Sequence, residues 1–352
     1  MNVYGRNSND TVREYSQTNV WSGQHVRMVE VLLIALLGCL TTSARCLADE
    51  RLTPAATFDF ADVEAGQKLV ATSDSFLKAL SRFDRQVRLQ TDGDATEAAL
   101  VAFLRGEVVA WDDESRERLV ASIDRLRPKL EPFHLPLPPT VLLIQMSGKD
   151  EADAAYTRGT AILLPRDRIL KLKADALDRL LLHELFHVLS RNAPELRRDL
   201  YRIIGFEICE PISLPPLLAD LKLTNPDAPL IDCHIKLTER DEAFHAAPIL
   251  YSSSATYDAD QKPPLFKYLT FRLMKIEQHE GRWRPLLKDG EPILVDPANT
   301  PSFAEQIGKN SKYIIHPDEI LADNFVHLIM QTEKLPSPRI VEQMGERLKA
   351  RL

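Results

Sequence analysis

Ala174-Asp-Ala-Leu-Asp-Arg-Leu-Leu-Leu-His183-Glu184-Leu-Phe-His187-Val-Leu-Ser-Arg-Asn192 is the stretch from which the rest of the chain is best read. It predicts one helix, with an acid in its first turn and a base in its last, as the helix dipole favours. Residues four apart stack on one helical face, so His183 and His187 can grip a single cation. Glu184 then stands where it can take a proton from a water on that cation. Leu177, Leu180, Leu181, Leu182, Leu185, Phe186, Val188 and Leu189 make the helix apolar nearly all round, which predicts burial. Two imidazoles and a carboxylate in a buried helix need a partner, because an unpaired buried charge is costly. A metal ion is such a partner, and zinc suits the histidines.

A second segment completes a ligand set. Tyr313-Ile-Ile-His316-Pro317-Asp318-Glu319-Ile-Leu-Ala-Asp323-Asn324-Phe325 begins a helix at Pro317, where the missing N–H costs nothing. Glu319 and Asp323 fall on one face. A catalytic zinc takes three protein ligands and keeps one position open. An outer carboxylate commonly orients a ligating imidazole through its second nitrogen. Glu319 is therefore the expected third ligand, and Asp323 the group that orients a ring, His183 in preference. Glu195, Glu207, Glu210, His234 and His245 are weaker candidate ligands, since none has an acidic partner one helical turn on. His316 is either an extra contact at the site or the residue that caps the helix.

These two motifs resemble those of the gluzincin metallopeptidases, in which a HExxH helix is joined by a later helix carrying a glutamate ligand. The Glu319-to-Asp323 spacing is similar to that of thermolysin-like members. The phrase around Pro317 to Phe325 resembles the ligand helix of the anthrax-lethal-factor-like branch, and by that resemblance Tyr313 would stabilise the tetrahedral intermediate. The likeness covers the two helices alone. The gap between His187 and Glu319 is 132 residues (319 − 187), much longer than in thermolysin. The metzincin continuation HExxHxxGxxH is excluded, because Ser190 and Ala193 occupy its later positions. The resemblance implies a zincin-like core in which the strand before the metal helix lies along the cleft and pairs with an extended substrate. That role would fall to residues 156–164, with Gly159, Thr160, Ala161 and Ile162 nearest the metal.

The fold class expected is α+β: a zincin-like catalytic core with an N-terminal helical region and a β-rich insertion between the metal-binding helices. The stripes Phe76, Leu80, Phe83, Val87 and Leu119, Ile123, Leu126 predict helices over residues 59–130, within a region spanning 49–134 that could serve as a pro-segment or a docking domain. Prolines at 132–139 form a linker. Residues 140–146 and 156–164 predict buried strands. The peptidase domain is expected over 135–335, its insertion over 207–312 with strands near 229–237, 244–251, 265–276 and 292–295. A C-terminal helix occupies 336–352.

Length and composition bound the function. The formal charge of −7 and the absence of a basic run with interleaved aromatics argue against nucleic acid. Residues 1–27 are a polar extension. Val31 to Leu40 is an uncharged apolar run too short to span a bilayer, and Ala48 suits signal-peptidase cleavage, so residues 28–48 read as a signal peptide. Two other readings stand beside it: a lipoprotein anchored at Cys39, or a buried helix of the fold. Export permits a disulfide between Cys209 and Cys233, which could equally be two buried thiols. The expected activity is exported, periplasmic or extracellular, zinc-dependent hydrolysis of peptide or protein substrates. The alternative is an exported binding protein or scaffold whose zinc is structural or inactive.

Overall fold

The computed structural model describes residues 50–239 and 242–350. The polar extension, the apolar run with Cys39 and the cleavage point at Ala48 lie outside them. The described chain has an α+β architecture of two main sheets and twelve helices. Among the described residues no helix is long and apolar enough to cross a membrane.

The first sheet contains β1 (Glu50–Thr53), β2 (Ala56–Phe60), β3 (Thr140–Met146), β4 (Tyr156–Arg158) and β5 (Ala161–Pro165), in the spatial order β1-β2-β3-β5-β4. β2, β3 and β5 are parallel; the two edge strands run antiparallel to their neighbours. Val141, Leu143, Ile162 and Leu164 face one side and Ile144, Met146, Ala161 and Leu163 the other, all buried. Such unbroken apolar runs suit strands covered on both faces. α1 (Val63–Val70), α2 (Ser75–Ala79) and α4 (Glu97–Gly106) cover one face; α5 (Asp113–Leu130) and α7 (Ala174–Asn192) cover the other.

Two expectations need correction here. Residues 50–60 form the β1–β2 hairpin rather than helix, because Phe58 and Phe60 alternate with polar neighbours and β2 pairs with β3. That pairing places residues 50–134 in the same compact unit as the rest of the described chain. The stripe from Phe76 to Val87 is two helices. α2 ends at Leu80, and Ser81 with Asp84 forms a capping box that starts α3 (Arg82–Leu89).

After α6 (Arg166–Lys171) and α7 come α8 (Pro194–Ile203), β6 (Phe206–Ile208) and α9 (Pro216–Leu221). The region from β6 onward is rich in strands, as expected. β7 (Cys233–Glu239), β8 (Glu242–Ser252), β9 (Leu269–His279) and β10 (Arg282–Pro285) build an antiparallel sheet with β6. The ribbon β11 (Leu287–Lys288) and β12 (Glu291–Pro292) stands apart, and β13 (Leu294–Val295) adds to β9. The inner face, with Cys233, Ile235, Ala246 and Leu273, joins the main core. α10 (Pro301–Ile307), α11 (Pro317–Ile329) and α12 (Pro338–Lys349) complete the chain.

Of the two readings of the cysteines, a disulfide or a pair of thiols, the second holds: among the described residues Cys209 and Cys233 are both free, Cys233 buried and Cys209 partly so. Cys233 pairs in register with Ile208, so Cys209, one residue further on, packs against the opposite-face cluster. The period of two along a strand separates the sulfurs.

Arg88 links the helical layer to the insertion. Its guanidinium is fully buried, bidentate to Glu151 (2.5 and 2.9 Å), and bonded to Asp84 (2.8 Å) and the Thr224 carbonyl (3.1 Å). Asp84 in turn accepts from the Thr224 backbone and hydroxyl. Replacing Arg88 by Met strands two buried carboxylates. The expected loss is about 3–5 kcal/mol of unfolding free energy, read by urea denaturation.

Candidate metal centre

α7 and α11 cross so that the two sequence motifs meet. Both imidazoles aim Nε2 at one oxygen, Glu319 Oε2: His183 at 3.0 Å and His187 at 3.5 Å. All three ligand atoms lie within 4.8 Å of one another. The outer nitrogens are each committed to a carboxylate. His183 Nδ1 stands 3.2 Å from Asp323 Oδ1, and His187 Nδ1 2.8 Å from Asp318 Oδ2. Asp323 is steadied by the Ser311 hydroxyl (2.5 Å) and Asp318 by the hydroxyls of Ser190 (2.6 Å) and Tyr201 (3.0 Å). Asn225 donates to the other oxygen of Glu319 at 2.5 Å.

Local sequence explains why α11 delivers its acids there. Pro317 opens the helix, and His316 caps it, its Nδ1 accepting from the Asp318 N–H at 3.2 Å. His316 is therefore the capping residue and not a contact of the site. With Nδ1 an acceptor, its neutral ring carries hydrogen on Nε2, which faces Cys233 Sγ at 3.6 Å. Burial pushes His316 down to about 4 and so keeps it neutral. His234 and His245 meet each other instead, Nδ1 to Nδ1 at 3.3 Å beside Trp283 on the outer face of the second sheet.

Without a cation the site is a cluster of acids and bases that must share protons. Burial opposes charge on His183, yet Asp323 and Glu319 raise it to about 10; His187 is raised well above its usual value despite burial, by Asp227, Glu319 and Asp318. The same rings hold Glu319 far below the ordinary carboxylate range against the effect of its burial. Burial and the neighbouring Asp227 push Glu184 up to about 8. Among the buried atoms of the described residues that lack a hydrogen-bond partner, two belong to this cluster, His187 Nε2 and Glu184 Oε2. A zinc ion held tetrahedrally at about 2.0–2.2 Å from nitrogen and oxygen spaces its ligand atoms about 3.3 Å apart. The observed 3.0 and 3.5 Å bracket that spacing, so the donor set fits such an ion.

Three residues of the site escaped the sequence reading. Asp318 was hidden beside Glu319, although an acid at the start of α11 is visible. Asn225 and Asp227 belong to a Thr224-Asn-Pro-Asp227 turn whose composition predicts a turn and nothing more. Asp227 has a carboxylate oxygen within 4.8 Å of ligand atoms of Glu184 and His187. Its Oδ1 accepts from the Thr157 N–H and hydroxyl, both at 2.7 Å. Tyr313 lines the cleft and is 40% exposed.

The expected substrate strand is also rearranged. Residues 156–164 are two strands joined by a turn at Gly159-Thr160, where Gly159 adopts φ +58°. Ala161 and Ile162 lie in β5, paired on both sides. The sheet edge is β4, and the outward N–H of its Thr157 is already bound by Asp227. Comparisons with protein-family models, curated proteins and solved structures find no match. Asp318→Ala removes the acceptor of three buried donors. It is expected to cost about 3 kcal/mol or more in chemical denaturation, and to weaken any metal held by His187 about ten- to hundredfold in a competition titration.

Proposed function

We propose that the chain is a zinc-dependent peptidase of gluzincin type with a zincin-like core, exported by its N-terminal segment. The observation that carries this reading is the convergence of His183, His187 and Glu319 on one point, with the unpartnered Glu184 Oε2 beside it. His183 Nε2, His187 Nε2 and Glu319 Oε2 would hold the ion. When bound, zinc brings the pKa of a water to about 7 and polarises a peptide carbonyl. Glu184 takes the proton of the attacking water and passes it to the departing amine. Asp323 and Asp318 keep each ring in the tautomer that leaves Nε2 free. Tyr313, at the mouth of the cleft, donates its hydroxyl to the oxygen that gains charge. Partial desolvation of that hydroxyl by the cleft walls, and then the carboxylates Glu319, Asp227 and Glu184, raise its pKa, so it stays protonated and able to donate.

One observation favours a second reading, a closed and non-catalytic zinc site in an exported binding protein. Asp227 lies close enough to His187 to become a fourth ligand, and structural zinc sites close with four.

Glu184→Gln discriminates between them. It should keep one zinc per chain by metal analysis and lower the rate of chelator-sensitive peptide cleavage by about a hundredfold or more. A variant with unchanged activity removes Glu184 from the mechanism; a wild-type protein that retains zinc and cuts no peptide favours the closed site. Zinc uptake also has a proton signature. In the metal-free protein the neighbouring carboxylates raise both imidazoles above their ordinary value against the effect of burial, and ligation requires their Nε2 lone pairs. About two protons should be released per zinc, measured as the dependence of calorimetric enthalpy on buffer ionisation. Zinc binding with no proton release would place the ion elsewhere.

A further inference from the structure

The cleft at the metal centre carries charges of both signs. It encloses about 630 Å³. Its lining includes the acids Glu184, Glu319 and Asp227 and the bases Arg168 and Arg179, with an Asp227 oxygen within 4.8 Å of ligand atoms of Glu184 and His187. Ala176, Arg179, Leu180, His183 and Glu184 all line it, which their spacing along one face of α7 explains. Arg179 is five residues before Glu184, about 7.5 Å along the helix axis. Among the described residues it pairs with Asp175 alone, at 2.8 Å and exposed, a pair worth little in water. Arg168 gives one Nη to the Asp153 carbonyl, and its buried Nε has no partner. Both guanidiniums therefore have donors to offer.

Beside Glu184 and Glu319 the wall is a tethered turn. The turn of Asn225 to Asp227 is pinned there: Asn225 to Glu319, Asp227 to Thr157, and the Asp227 carbonyl to Arg191 at 3.0 Å. An extended chain that continued past the metal along β4 would need the Thr157 N–H, which Asp227 holds. Beyond Asp227 the described residues leave a hollow of about 60 Å³ beside Tyr156, Leu223 and Leu250. It has room for a modest side chain.

We infer that the cleft takes short peptides with free ends, the N-terminal ammonium against Asp227 and the C-terminal carboxylate against Arg179 and Arg168. This rests on the peptidase reading above. An extended peptide advances about 3.3 Å per residue, and Arg179 stands about 7.5 Å before Glu184 along α7, a rise that two or three residues of extended chain would span. Asp227 Oδ1 is fixed by Thr157, and no hydrogen bond occupies Oδ2, which leaves it to receive an ammonium. The reaction is hydrolysis of the first peptide bond. Water oxygen bonds to the carbonyl carbon, the C–N bond breaks, and the water proton reaches the departing nitrogen through Glu184. The products are a free amino acid and a peptide shortened by one residue.

The test compares Ala-Leu-Ala with its N-acetylated and C-amidated forms on the zinc-loaded full chain, with cleavage followed by mass spectrometry. Each blocked end should lower kcat/KM about ten- to hundredfold, the loss expected for one charge-assisted contact. Asp227→Asn should shrink the penalty for acetylation, and the double replacement Arg168→Ala, Arg179→Ala the penalty for amidation, with zinc content unchanged. Calorimetric binding of the three peptides to zinc-loaded Glu184→Gln protein gives the same ranking without turnover. Equal use of free and blocked peptides, or equal binding of them, overturns the inference and leaves the peptidase reading standing. Loss of zinc in Asp227→Asn also overturns it, by making Asp227 a ligand. Failure to cut or bind any of the three, in protein that holds no zinc, overturns the peptidase reading itself and the inference with it.

Discussion

Two imidazole nitrogens facing one carboxylate oxygen is the contact on which the arrangement of this molecule turns. His183 and His187 come from α7, Glu319 from α11, and none of the three can be buried there alone. Either the rings carry protons and bind Glu319 as ions, or a cation replaces the protons. In both states α7 and α11 must stay in contact, because separating them would leave a carboxylate and two polar rings in a low-dielectric interior. The carboxylates behind the rings extend the constraint outward. Asp323 reaches Ser311, and Asp318 reaches Ser190 and Tyr201, so α8 and the segment before α11 are drawn into the same network.

The insertion between the two helices is more than a spacer. Its outer sheet rests on the core through Cys233, Ile235, Ala246 and Leu273, while its first turn reaches back to the centre. Thr224 is tied to Asp84 and Arg88, so the position of Asn225 and Asp227 depends on the buried ion cluster of the N-terminal layer. Residues that look unrelated along the chain thereby act together, setting an acidic group beside Glu184 and His187 in the cleft. Arg168 and Arg179, which also line it, come from α6 and from the first half of α7.

Legibility from sequence followed the range of the physical signal. α7 and α11 were readable because their chemistry repeats at helical spacing, so the faces that carry His183, His187, Glu319 and Asp323 could be derived locally. The break between α2 and α3 was written in Ser81 and Asp84, but a continuous apolar stripe masked it. Residues 156–164 read as one strand because every position in β4 and β5 is compatible with extension; only the pairing of Arg158 with Ala161 reveals the turn at Gly159. β1 and β2 are stabilised by β3, some eighty residues away, and no local pattern announces such a partner.

By itself the amino-acid sequence determined a buried helix bearing two histidines and a glutamate, a second helix opened by Pro317 with acids on one face, a mixed α+β chain, and strands in the segment between. Those follow from periodicity, capping and side-chain chemistry, which act over a few residues. The tertiary structure alone decided that Asp318 and not His316 supports His187, that Cys209 and Cys233 stand apart, and that Asp227 holds the free edge of β4. Each of these depends on strand register and helix crossing, which are set by packing the whole core and not by any neighbour in sequence.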